Sequence, residues 1–192
     1  MVSIGSVVLG LAFFEGVVGT VRGFLRELGV TLVLIATLFG LDLIIPVLEG
    51  FINNGALQFL GLGPIQSSHS TQVVLTLLIT AIMIAAGYIS YQGETLAYEG
   101  NPPKGLLGTL LGFLIGLVNG YLLFGTVWWA WAHYQYPLGL VELPLPEAAQ
   151  NIVAGGLLPP DLLGAGTATA GIGSLGILPI ILIVLVVMKV LR

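Results

Sequence analysis

The chain has 192 residues, of which 57% are apolar and 7% charged, and its mean hydropathy is +1.08. A soluble domain carries about 25% charged residues, so the composition is that of a membrane protein. Five basic residues exclude nucleic-acid recognition, and the lack of cysteine excludes disulfides, thiolate metal sites and a cysteine nucleophile. The net charge of −4 arises from so few groups that their placement matters more than their sum.

The fold class expected is an all-α bundle, one polytopic membrane domain of about five spans at 2–21, 28–48, 71–92, 105–132 and 172–188. The first apolar stretch lacks a basic amino-terminal region and runs into a second span, so it reads as a span rather than a cleaved signal. Glu15 interrupts it. GTVRGFLREL (19–28) leaves no room for a loop. Gly19 and Gly23 allow a tight turn there, with Arg22 and Arg26 at the water interface. The second span contains Asp42 and is expected to end near Pro46. Residues 49–70 read as a polar loop, with Ser68 or Ser70 as a cap for the third span. Asn101-Pro102-Pro103-Lys104 forms a helix stop and start.

Residues 105–132, GLLGTLLGFLIGLVNGYLLFGTVWWAWA, contain no charge. Gly108, Gly112, Gly116 and Gly120 recur at every fourth position and draw a side-chain-free ridge along a helix. Glycine is costly in a helix interior. In a membrane, small residues let another backbone approach, and van der Waals contact supplies the attraction. Asn119 beside the ridge can hydrogen-bond across it. The ridge is expected to pack the protein's own helices; the sharper alternatives are an oligomer or a pore. Trp128, Trp129, Trp131, Tyr134 and Tyr136 form an interfacial aromatic belt. Residues 137–171 read as an ordered extracytoplasmic loop, without Lys or Arg, in which 147–158 forms an interfacial helix.

With five alternating spans, Arg22, Arg26, Lys104, Lys189 and Arg192 all fall on one face. The positive-inside rule makes that face cytoplasmic, the amino terminus outside and the carboxyl terminus inside.

An intramembrane acid is a functional candidate because its charge is costly there. Glu15 lies about 9 Å from the cytoplasmic end at 1.5 Å per residue. Its structural role would be to pair with Arg22 or Arg26 and fix the first hairpin; its functional role would be to carry a proton or ion. Asp42 lies about 20 Å up the second span, where it would reach the outer interface or bond a neighbouring helix. His69 and His133 are the candidates for a haem or chlorophyll contact. Beside an aromatic belt a histidine is ordinarily interfacial, so no cofactor is expected. No nucleotide-binding, zinc-protease or serine-hydrolase motif occurs, and no enzymatic activity is expected.

Gly19, Arg22, Gly23, Phe24, Arg26, Glu27 and Leu28, together with the later span built on Gly108, Gly112, Gly116 and Gly120, resemble the colicin V production protein (CvpA) family over roughly residues 1–135. The chain departs from that family in having Glu94 and Glu99 after the third span and Asn119 where a basic residue is common. The resemblance implies a bacterial inner-membrane protein linked to envelope physiology or secretion. The expected partners are lipids and other transmembrane helices, either a second copy or subunits of a larger complex. The other readings are an accessory subunit of a respiratory or photosynthetic complex and a small channel or transporter.

Overall fold

The computed structural model describes residues 3–53, 68–92, 105–141 and 143–164. These form an all-helical membrane bundle. Four helices are long and apolar enough to cross a bilayer: α1 (Ile4–Arg22), α2 (Phe24–Asn53), α3 (Ser68–Gln92) and α4 (Gly105–His133). Two short helices follow, α5 (Glu147–Ala154) and α6 (Pro159–Leu162). The expected fifth span, 172–188, lies outside the described residues, as do Lys104, Glu142, Lys189 and Arg192.

α4 is the hub. It packs on α1, α2, α3 and α6, while α1 and α2 touch each other little. Contacts that pair Gly112 with Gly19 and Gly120 with Ala12 make α1 antiparallel to α4. Those that pair Glu27 with Asn119 and Glu49 with Tyr134 make α2 parallel to it. Gly87 against Leu123 and Thr80 against Trp131 make α3 antiparallel. Leu34, Leu38, Leu75, Ile79, Met83 and Leu122 fill the core among α2, α3 and α4.

Gly23 alone separates α1 from α2. Its φ of 89° lies where only glycine is at ease; its N–H closes α1 on the Gly19 carbonyl, and its own carbonyl receives the Glu27 N–H. Gly19 does not turn the chain. It lies within α1 and faces α4.

α2 does not end near Pro46 but continues to Asn53. The apolar run continues through the proline, and a membrane-buried helix tolerates proline because unwinding would expose more backbone to hydrocarbon. The missing N–H leaves the carbonyl four residues earlier, that of Asp42, without its helical partner.

α4 ends in a Schellman cap, with Tyr136 N–H bonded to the Trp131 carbonyl, Gln135 N–H to that of Ala132, and both Gln135 and Tyr136 at positive φ. The following segment is more than an interfacial helix. α5 occupies 147–154 of the expected 147–158, and the chain then returns along α4. Tyr121 donates its hydroxyl proton to the Leu157 carbonyl, and Pro159 sits on Gly125. Gly125 is eight residues before His133, about 12 Å down the helix. Leu157–Pro160 is therefore a re-entrant segment, seated where Gly125 leaves room and tethered by Trp129 Nε1, which donates to Asp161 Oδ1 at 2.9 Å.

Candidate functional site

The α1–α2 turn brings a buried polar cluster to one end of the bundle. Glu27, in the first turn of α2, is 0% exposed. A carboxylate is favoured electrostatically at a helix amino terminus, but at that depth it must also be fully bonded. Three side chains from three helices supply the bonds. Arg22 Nη1, at the end of α1, donates to Glu27 Oε1 at 3.1 Å. Asn119 Nδ2, from α4, donates to Oε2 at 2.9 Å and to the Glu27 carbonyl at 2.9 Å. The Tyr91 hydroxyl, from the end of α3, reaches Oε2 at 3.3 Å.

A second layer orients the first. Thr31, one turn after Glu27 on α2, donates to Asn119 Oδ1 at 2.6 Å, which leaves the Asn119 amide N–H₂ facing Glu27. Arg22 Nη2 donates to the Tyr91 carbonyl at 3.2 Å, and the guanidinium lies 4.3 Å from the centre of the Tyr91 ring, a cation–π arrangement that a planar cation suits. Glu15, half-buried on α1, brings a second carboxyl to the neighbourhood of Tyr91 and Arg22.

Arg22 therefore forms its ion pair with Glu27 and not with Glu15. It is the last residue of α1, and the one-residue turn delivers Glu27 within its reach. Arg26 is exposed and makes no hydrogen bond among the described residues. It lines, with Arg22, Gly23, Gly105 and Gly108, an open cleft of about 380 Å³ below the turn.

The glycines lie where α1 and α4 run backbone against backbone. A Cβ on Gly112 would strike the Gly19 carbonyl oxygen, and one on Gly116 that of Glu15. One on Gly120 would lie 2.6 Å from the Ala12 Cα. Gly16 on α1 receives the Phe113 ring in the same manner, its virtual Cβ 2.9 Å from that ring. Gly108 is buried nearer the turn. Asn119 sits beside this track, so one helix carries both the close approach to α1 and the polar clamp on α2.

The histidines stand apart from the cluster. His69 is exposed at the start of α3. His133, exposed at the end of α4, stacks on Trp129 with centroids 4.6 Å apart and meets Tyr134 edge-on. At that end Tyr134 donates to Glu49 Oε1 at 2.9 Å, and Trp128 Nε1 to the Tyr136 hydroxyl at 3.0 Å. Burial first, and then the Glu49 carboxylate, push the Tyr134 phenol above its ordinary range, so it remains a donor. Among the described residues no group of three His, Asp or Glu is placed to hold a metal ion.

Glu27, Arg22 and Asn119 were all marked by the sequence. Tyr91 and Thr31 were not. Thr31 could have been found from its i,i+4 spacing to Glu27, which puts both on one helix face; Tyr91 carries no local signal. Comparison with family models, characterised proteins and solved structures finds no match to the chain.

Proposed function

We infer that the chain is a multi-pass membrane protein of the CvpA type that acts through helix association rather than catalysis. The observation that carries this reading is the saturation of Glu27. Its oxygens take donors from α1, α3 and α4, so this buried acid holds the bundle together rather than facing a substrate. What α1 and α4 turn outward is apolar: Leu9, Phe13, Phe14 and Val21 on the first, Leu106, Leu107, Leu110 and Leu114 on the second. On this reading the Gly-x-x-x-Gly repeat is an internal glycine zipper, and association with other proteins uses the outward faces. Arg22 and Arg26 at one end and the aromatic belt at the other support an inner-membrane orientation with the α1–α2 turn in the cytoplasm.

Native mass spectrometry of gently solubilised membranes, with an absorption spectrum of the same fraction, tests this reading. Homo-oligomers or a defined colourless complex are the expected result. Co-migration with pigmented redox subunits would make the chain an accessory subunit of their complex. A strictly monomeric species in every mild detergent would contradict association. The rival reading, a small channel or carrier, has one observation in its favour, the state of Asp42.

A further inference from the structure

Asp42 on α2 presents the opposite situation to Glu27. It is 8% exposed, its Oδ1 is closed off from solvent, and it forms no hydrogen bond with any described residue. It lies seven residues before Glu49, about 10 Å below the outer end of the bundle. Pro46 removes the N–H that its backbone carbonyl would have received. Asp42 lines a cavity of about 10 Å³, at the lower limit for one water molecule. Leu38, Leu41 and Ile45 of α2, Thr126 and Trp129 of α4, and Pro160 of α6 complete the walls.

Among the described residues the charged groups around it give no compensation. The described cations, Arg22 and Arg26, are sixteen or more residues away along the chain, on the other side of the bundle; from Arg26 the rise along α2 is about 24 Å. From α4 the titratable neighbour is His133, stacked on Trp129. From α6 it is Asp161, an acid, held by Trp129 Nε1. On α2 itself the nearest is Glu49, another acid, bonded by Tyr134. His69, at the start of α3, is exposed. Among the described residues an ionised carboxylate in this setting would have neither a cation nor a donor. A metal ion fits poorly, since Asp42 and Thr126 supply the only oxygen-bearing side chains of the wall among the described residues, and a dehydrated cation needs a ring of oxygens.

We propose that Asp42 is a proton-binding site, its carboxyl held neutral in a cavity that the re-entrant helix α6 covers from the outer side. Release breaks the carboxyl O–H bond, leaves the electron pair on oxygen and passes the proton to water. It requires water to enter where Pro160 now sits. Tyr121 to Leu157 and Trp129 to Asp161 are bonds that keep the cover on α4. The site stands independently of the association reading, because none of the Glu27 cluster takes part.

The chain holds two aspartates, Asp42 and Asp161. Full-length protein enriched with carbon-13 at the aspartate side-chain carboxyl therefore gives two resonances by NMR in detergent micelles, assigned by Asp42→Asn and Asp161→Ala. At neutral pH the Asp42 carbon is expected at the position of a protonated carboxyl, and Asp161 at that of a carboxylate. Both carbons at the carboxylate position would overturn the proposal, without any variant needing to fold. A shift of the Asp42 resonance on adding sodium chloride at fixed pH, beyond that caused by choline chloride, would make the ligand a metal ion and also overturn it. In Asp161→Ala, which cuts the Trp129 tether but leaves the cavity wall intact, the Asp42 resonance should move toward the carboxylate position at the same pH. An unmoved resonance would overturn the role of α6 as the cover.

Discussion

Two buried acids on one helix, Glu27 and Asp42, divide the molecule into halves with different logic. Glu27 sits where α1, α2, α3 and α4 converge and receives donors from three other helices. Asp42, fifteen residues further along α2, sits beside a re-entrant segment and receives none among the described residues. One half is therefore locked by polar bonds and by backbone contact along the glycine track. The other is closed by aromatic side chains and by a short segment held through a few hydrogen bonds. The comparison teaches that burial alone does not assign a role to an intramembrane acid; its partners do.

Substitutions can break or sharpen this contrast. Glu27→Ala should have the largest effect, about 3–5 kcal/mol of stability lost, because it strands the Arg22 charge and two further donors; reversible unfolding in mixed micelles measures it. Gly116→Leu should follow, with up to about 3 kcal/mol, since its side chain meets the Glu15 backbone rather than a movable group. Unchanged thermal stability in detergent would show that the track is not a packing surface. Asp42→Leu should act in the opposite direction and stabilise by about 1–3 kcal/mol, because an unbonded polar group is replaced by an apolar one; the same unfolding assay decides the sign. Arg26→Ala should change stability by less than about 0.5 kcal/mol. A loss as large as that of Glu27→Ala would mean that Arg26, not Arg22, anchors the turn.

Much of the locked half was legible in the sequence. Glycines four apart mark a surface that another backbone must cover, and Gly-x-x-Arg-Gly between two spans leaves space only for a turn. Neither pattern says which helix arrives; that α1 covers the track follows from Gly16 and Gly19 facing it. The partner of Arg22 was not legible either, because Glu15 and Glu27 both lay within sequence reach and only the geometry at Gly23 selects between them. Tyr91 is brought in by the packing of α3, to which no local pattern points. In the other half, Pro46 signals a stop because that is its effect in water, whereas hydrocarbon favours continuing the helix. The return of Leu157–Pro160 along α4 depends on Gly125 and Tyr121, a match between distant segments that periodicity does not encode.

The central claim is that Glu27 and Asn119 act as one unit in joining α2 to α4. A double-mutant cycle of Glu27→Gln and Asn119→Ala, read by reversible unfolding in micelles, tests it most directly. The account predicts a coupling energy of about 1–3 kcal/mol, in the range of residues that share one network. Additivity within about 0.5 kcal/mol, the behaviour of independent sites, would contradict it.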